Sequence, residues 1–304
     1  MNRHVPVLLS EVLALAPEAG LFIDGTAGDG GHSQAMLEAR PQASLLAVDR
    51  DPVSVQRATE RLQPIDHSRW QIMTASYADA WSQLTAEQRA ATRFVLLDLG
   101  FSSAQMDNAE RGLSFQADGP LDMRYDQTDI RRPTAAEILY RTNVVDLANL
   151  IYKYGEERQS RKIARIIVEA RQKQPLTTTR ELAELIAKHV KTHPKDKIHP
   201  ATLTFQALRI AVNDELGELE RFLAETLPEL PSKARVAIIS FHSLEDRLVK
   251  RAFASLTKPR ENEYGERVEP RATSLTKKPI VAGEAEVQAN PRSRSAKLRA
   301  IELL

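Results

Sequence analysis

The chain has no cysteine among its 304 residues. Disulfides and thiolate-held metals are therefore excluded, as suits a reducing compartment. No apolar run reaches membrane-spanning length. The opening residues, Met1-Asn2-Arg3-His4-Val5-Pro6, do not form a secretory signal. A cytoplasmic protein without a membrane partner is expected. Net charge is almost absent, at +1 from 42 basic and 41 acidic residues. Three signatures are missing as well. No G-x-x-x-x-G-K-[ST] supports a nucleoside-triphosphate loop, no G-x-G-x-x-G a nicotinamide site, and no G-x-S-x-G a hydrolase elbow. His189, His193 and His199 lie near one another among Lys and Pro without a matching carboxylate pattern, so no metal is expected. There is no internal repeat and no low-complexity tract.

What is present begins with Asp24-Gly25-Thr26-Ala27-Gly28-Asp29-Gly30-Gly31-His32-Ser33. It follows the apolar run Leu21-Phe22-Ile23. A second run, 44–48, ends on Asp49-Arg50-Asp51. This order reads as strand, glycine-rich turn, helix, and a second strand ending in a carboxylate. It is the layout of a nucleoside-cofactor site in an open α/β sheet. Gly28 and Gly30 allow close approach of backbone to ligand. Asp49, 25 residues after Asp24, is placed to accept from a ribose diol. Asp24 beside the turn suits a ligand bearing an ammonium and a sulfonium, S-adenosylmethionine, better than a pyrophosphate. The alternative is a tight structural turn with both acids as strand-end caps.

Strands are expected at 21–23, 44–48, 70–74, 93–97 and 235–239, with helices such as Pro52–Leu62 between the first four, as in a doubly wound parallel sheet. The 137 residues from 98 to 234 far exceed one crossover, so an inserted domain is expected. It reads as helical: Thr134–Arg141, Val144–Tyr154, Glu157–Lys173, a capping box at Thr178 and Glu181, and a long helix opened by Pro200 and continuing to Leu223. Ser243 and Asp246 resemble another cap, ahead of a helix over Glu245–Leu256. Residues 258–295 read as a long loop with a short strand near Pro279-Ile280-Val281, and Lys297–Leu303 as an edge strand. The domain reading is 1–107 for the first part of the sheet domain, 108–220 for the helical insert and 221–304 for the second part.

In open α/β sheets the ligand lies beyond the carboxyl ends of the strands. Strand 93–97 runs into Asp98-Leu99-Gly100-Phe101-Ser102-Ser103, and strand 235–239 into Ser240-Phe241-His242-Ser243. Asp98, Ser102, Ser103 and His242 are therefore the candidate catalytic edge. The glycine-bearing stretch Arg111–Arg124 begins the insert and is expected beside the site. Basic residues cluster despite the balanced total: Arg158, Arg161, Lys162 and Arg165 at helical spacing; Lys188, Lys191, Lys195 and Lys197; and Arg292, Arg294, Lys297 and Arg299. Such clusters bind phosphates or form solvated faces.

These segments together resemble one family, the bacterial small-subunit rRNA cytosine-N4 methyltransferases (RsmH or MraW). The resemblance rests on His4–Glu11, Asp24–Ser33, Asp49-Arg50-Asp51, Asp98–Asp107, Arg111–Arg124, Tyr154–Glu157, Lys197–Leu216, Ser240–Lys250 and Asn290–Arg299. The glycine turn alone is generic; its combination with HxPVLLxE, DGPLDMR and SFHSLEDR is specific and spans nearly the whole chain. The resemblance implies a Rossmann-like class I methyltransferase domain with an inserted all-helical domain. It implies methyl transfer from S-adenosylmethionine to one cytidine N4 of 16S rRNA at the decoding centre. It also implies cofactor contacts at Gly30, Gly31, His32, Asp49, Tyr77, Asp98 and Gln105. Ala104, Tyr125 and Leu203 depart from the family's usual Pro, Met and Arg. Two other readings compete: a non-catalytic RNA-binding assembly factor keeping a cofactor fold, and a small-molecule methyltransferase.

Overall fold

The computed structural model describes residues 6–190, 198–261 and 266–304. His4, Val5, Lys191, His193, Lys195 and Lys197 lie outside the described residues. The chain divides into two units, one of Met1–Gly100 with Leu216–Leu304 and one of Phe101–Glu215. These edges fall seven residues before the expected 108 and five before the expected 220.

The first unit is built on a seven-stranded sheet. Its first five strands are β1 (Ala19–Asp24), β2 (Gln42–Asp49), β3 (Trp70–Thr74), β4 (Thr92–Asp98) and β5 (Arg235–Ser240). They lie parallel in the order β3-β2-β1-β4-β5. β1, β2, β4 and β5 read as apolar runs because both their faces are buried, whereas the edge strand β3 exposes Gln71 and Thr74. Leu21, Ile23, Leu46, Val48, Val95, Leu97, Val236 and Ile238 face one layer. Phe22, Leu45, Ala47, Phe94, Leu96, Ala237 and Ile239 face the other. Strand order reverses between β1 and β4, which opens a crevice at their carboxyl ends.

After β5 come the helix Ser243–Thr257, a ribbon of β6 (Arg260–Glu261) and β7 (Arg267–Val268), then β8 (Ala272–Ser274) and β9 (Lys297–Leu303). Contrary to the sequence reading, β9 is not an edge strand. It pairs antiparallel with β5 on one side and β8 on the other. The expected strand near 279–281 is a single bridge, Ile280 to Leu298.

The second unit carries helices Ser103–Asp107, Ala135–Arg141, Val144–Gly155, Ser160–Arg171, Thr179–His189 and Thr202–Asn213. No strand occurs among its described residues. Three of these helices begin on local side-chain caps in the stretch 134–189: Thr134 with Glu137, Asn143, and Thr178 with Glu181 as the sequence indicates. Leu139, Leu147, Ile151, Ile163, Ile167, Leu182, Ile186 and Leu208 form their common core. The helix expected from Pro200 to Leu223 is broken. It starts at Thr202, and Asp214 adopts a left-handed φ of 51°. A new helix then runs Glu215–Arg221 into a wide turn over Phe222–Thr226.

The stretch Arg111–Arg124 is stitched into this unit. Leu121 N donates to Thr177 O at 2.9 Å, Gly119 N to Thr179 Oγ1 at 3.1 Å, and Asn213 Nδ2 to Met123 O at 2.8 Å. Gly112 has φ 65°, and a Cβ there would stand 1.9 Å from Pro120 O. Tyr125, a departure from the family pattern, has a structural task. Its hydroxyl donates to Glu215 Oε1 at 2.8 Å, an oxygen shared with Arg209 Nε at 2.9 Å.

Candidate cofactor site

Three adjacent parallel strands, β2, β1 and β4, end on Asp49, Asp24 and Asp98. The turn after β1 ties them together by its own backbone. Gly25 N donates to Leu96 O at 2.9 Å, Ala27 N to Val48 O at 2.9 Å, and Gly30 N to Ala27 O at 2.8 Å. Thr26 N donates to Asp24 Oδ1 at 3.3 Å, and Gly28 N to Asp49 Oδ2 at 2.8 Å. Thr26 Oγ1 accepts from Asp98 N at 2.6 Å. Gly30 is required where it stands: its φ is 75° and a Cβ would lie 3.0 Å from Ala58 Cα. It leads into the helix Gly31–Ala39.

These bonds decide what the turn can hold. Five N–H groups that could line a phosphate cradle are consumed internally, and three carboxylates border the turn. A pyrophosphate would find few donors and repelling charge. A cationic nucleoside finds the reverse.

Asp24 is only 1% exposed. Its Oδ2 accepts from Ser33 Oγ at 2.6 Å. Burial, reinforced by Asp49, still pushes its pKa up to about 6, against the lowering by Ser33 and Thr26. Asp49 is also raised to about 6, first by burial and then by Asp51; the amides of Asp51 and Gly28 and the charge of Arg50 pull the other way. Asp98 is raised well above the carboxylate range by burial, then by Asp24 and by Glu245. Its Oδ1 is buried and has no hydrogen-bond partner among the described residues. Its Oδ2 lies 3.7 Å from His32 Nδ1. A buried orphan acceptor beside two further destabilised carboxylates matches a ligand that brings cations and N–H donors.

The other sequence candidates fall into two groups. His32 is buried, with Nε2 donating to Val7 O at 3.0 Å, so its Nδ1 faces Asp98. Tyr77 starts a short helix capped by Ser76, and its ring meets Phe222 edge-on at 6.0 Å. Asp49 is less open than the sequence reading assumes. Each oxygen already accepts one backbone N–H, from Gly28 and from Asp51 at 2.9 Å, which leaves one lone pair on each for a hydroxyl. Ser102, Ser103 and Gln105 belong to the second unit. There Ser102 caps the helix Ser103–Asp107 and Gln105 Oε1 accepts from Ser102 N at 2.8 Å.

His242 is built into a helix cap. It, not Ser243, is the N-cap of the helix Ser243–Thr257. Its Nδ1 accepts from Glu245 N at 3.4 Å, and its Nε2 lies 3.2 Å from Glu245 Oε1. Glu245 closes the box by accepting from Phe241 N at 2.8 Å and His242 N at 3.3 Å. Nδ1 thus serves the cap, while the buried Nε2 lies near Glu245 without a hydrogen-bond partner among the described residues. Sequence reasoning missed this because histidine is an uncommon cap residue, although Glu three positions later was the available signal.

Of the basic clusters, Arg158, Arg161, Lys162 and Arg165 are exposed on or beside the helix Ser160–Arg171. In the last cluster Arg299 pairs with Asp246 at 2.7 Å and Lys297 with the same acid at 3.5 Å, while Arg292 and Arg294 are exposed. His189 Nδ1 lies 2.9 Å from Leu185 O, and His199 Nδ1 accepts from Ala201 N at 3.2 Å. No helix among the described residues is long and apolar enough to cross a membrane.

The chain is 46% identical to the ribosomal RNA small subunit methyltransferase H of Methylobacterium sp. (strain 4-46), over 98% of this chain and 90% of that protein. It is also 46% identical to the protein of the same name from Granulibacter bethesdensis, over 100% and 92% of the two chains. Among solved structures, an rRNA methylase from Streptococcus thermophilus aligns with a TM-score of 0.39 and 10% identity, covering 97% and 93%. The model of the MraW methylase family matches residues 1–304. With the strand-end carboxylates and the turn between them in place, and relatives matched along nearly their whole length, this chain belongs to the MraW methylase family.

Proposed function

We propose that this chain methylates the exocyclic N4 of one cytidine in 16S rRNA, at the decoding centre of the small ribosomal subunit, using S-adenosylmethionine. The observation that carries the reading is the set Asp24, Asp49 and Asp98, three destabilised carboxylates around one turn in a chain of the MraW methylase family. When bound, S-adenosylmethionine supplies an electrophilic methyl group on a sulfonium.

Asp49 accepts from the ribose hydroxyls, Tyr77 offers an aromatic face to adenine, and Gly28, Gly30 and Gly31 admit the ligand against the backbone. Asp24 opposes the cationic end. His32 steadies Asp98, and Gln105 completes the cofactor contacts. Asp98 Oδ1 is the acceptor for an N4–H of the cytosine. That nitrogen is a poor nucleophile because its lone pair is delocalised into the ring. A carboxylate holding one N–H lets it rehybridise and turns it toward the methyl group. With the methyl donor bound, the N–CH3 bond would form as the S–CH3 bond breaks, leaving S-adenosylhomocysteine, and the ammonium product would lose its proton to water. Positioning supplies most of the rate, and the cytidine must leave its stack to reach the site. Ser102 and Ser103 are proposed on the substrate side. His242 is proposed as a cap that fixes the edge after β5, not as a proton acceptor. The exposed cations at 158–165, with Arg292 and Arg294, are proposed to bind RNA phosphates, and the helical unit to recognise the RNA. The bacterial cytoplasm is the corresponding location.

A non-catalytic binder has no use for destabilised carboxylates, and family membership speaks against it. A small-molecule substrate would need no cationic surface. The test is transfer of labelled methyl from S-adenosylmethionine to small ribosomal subunits, free 16S rRNA and a small-molecule extract. Label in the RNA is expected. Label only in the extract would overturn the proposal.

A further inference from the structure

Glu218 lies outside the strand-end set and is only 2% exposed. Its oxygens divide their work. Oε1 accepts from Arg50 Nη1 and Oε2 from Ser76 Oγ, each at 2.9 Å. Arg50 directly follows Asp49 at the end of β2, and Ser76 directly precedes Tyr77, whose helix it caps. The same stretch of chain makes two more contacts with the second of these loops. Arg221 Nη1 meets Asp79 Oδ1 at 2.6 Å, and the Phe222 ring meets Tyr77 edge-on at 6.0 Å. The loops themselves are tied directly by Ala75 N, which donates to Asp49 O at 3.0 Å.

We infer that Glu218 is a positioning residue for the nucleoside half of the cofactor, clamping the loop after β2 to the loop after β3 so that Asp49 and Tyr77 keep a fixed separation. The inference rests on the proposed roles of Asp49 with ribose and Tyr77 with adenine. A carboxylate is needed because the two donors approach different oxygens. A glutamine can accept from only one of them and turns its NH2 toward the other. With Glu218 in place the Arg50 guanidinium, whose side chain is 19% exposed, is held by a charged partner. Without it that guanidinium loses this charged partner next to the Asp49 carboxylate.

The experiment uses the full chain, with S-adenosylhomocysteine and adenosine as calorimetric probes. Glu218→Gln is expected to weaken both by about tenfold and by the same factor, since the shared nucleoside carries the effect. In turnover, the KM for S-adenosylmethionine should rise more than kcat falls. A residue with only a structural task would lower the melting temperature and leave the affinity of the folded protein in place. Affinity within about twofold of the wild type in folded Glu218→Gln overturns the inference. If that variant does not fold, Ser76→Ala, which removes one arm and leaves Arg50 paired, decides. A loss of about threefold or more supports the clamp, and no loss overturns it. Asp49→Ala runs in parallel. If it leaves affinity unchanged, the cofactor-site reading fails and the clamp with it. If it weakens binding while Glu218→Gln does not, the clamp alone falls.

Discussion

Replacing Asp24 by Asn should stabilise the ligand-free protein and impair cofactor binding at once. Asp24 is 1% exposed, and its pKa in the folded chain is about 6 against an ordinary 3.8. A folded-state carboxyl raised in this way holds its proton more tightly than the unfolded chain does. The folded state is therefore favoured at low pH and loses stability as pH rises from about 4 to about 6. Two units correspond to ~3 kcal/mol of penalty at neutral pH. Asn removes the charge but keeps the shape. It retains one acceptor for Ser33 or Thr26 and opposes the other donor, a loss of about 1 kcal/mol or somewhat more. A net gain of about 1–2 kcal/mol, or roughly 2–6 °C in melting temperature, is expected at pH 7.5 without ligand. At pH 5, midway through that window, only about half of the penalty remains, so the lost hydrogen bond should offset most of the gain. Affinity for S-adenosylmethionine at pH 7.5 should meanwhile fall by about tenfold, because a charge-assisted contact is gone. Thermal melts at the two pH values, with calorimetric titration of the cofactor, check both halves. A variant destabilised equally at pH 7.5 and pH 5, or one that binds the cofactor as well as the wild type, would refute the reasoning.

Three further outcomes are expected. Asp98→Asn should lose turnover far more than affinity for S-adenosylmethionine, by about a hundredfold in kcat if a positioned acceptor is removed; equal losses in single-turnover rate and calorimetric affinity would make it a binding residue only. His242→Ala should cost about 1–3 kcal/mol of stability in denaturant titration by removing a cap over buried Glu245, and His242→Asn should recover much of it; an unchanged midpoint with lost kcat would restore a catalytic role. Arg161→Ala with Arg165→Ala should weaken binding to all RNA sequences alike and flatten the slope of log affinity against log salt by about one per lost contact; an unchanged slope would make that face merely solvated.

The edge of strand-end acids was legible because parallel strands buried on both faces appear as apolar runs, and each of the three runs of interest stops at an acid: Asp24, Asp49 and Asp98. The helical insert was legible because several of its helices open on caps, such as Thr178 with Glu181. What could not be read depends on distant pairing or on a single dihedral. β9 lies inside the sheet only because β8, three residues long, pairs beyond it. The helix after Pro200 breaks at Asp214 through one left-handed residue that interrupts no apolar period. Glu218 looks in sequence like any solvent-facing acid of an amphipathic helix. Its burial follows from Arg50 and Ser76, 168 and 142 residues away along the chain. His242 occupies the conspicuous place after a strand, and its cap geometry appears only with Glu245 folded back.

The measurement closest to the central claim is nucleoside mass spectrometry of 16S rRNA from cells lacking this gene, with wild-type and Asp98→Asn chains returned in turn. One cytidine of the decoding centre should lose its N4-methyl group, regain it with the wild-type chain, and stay largely unmethylated with Asp98→Asn. An unchanged methylation pattern in the deletion strain would contradict the account.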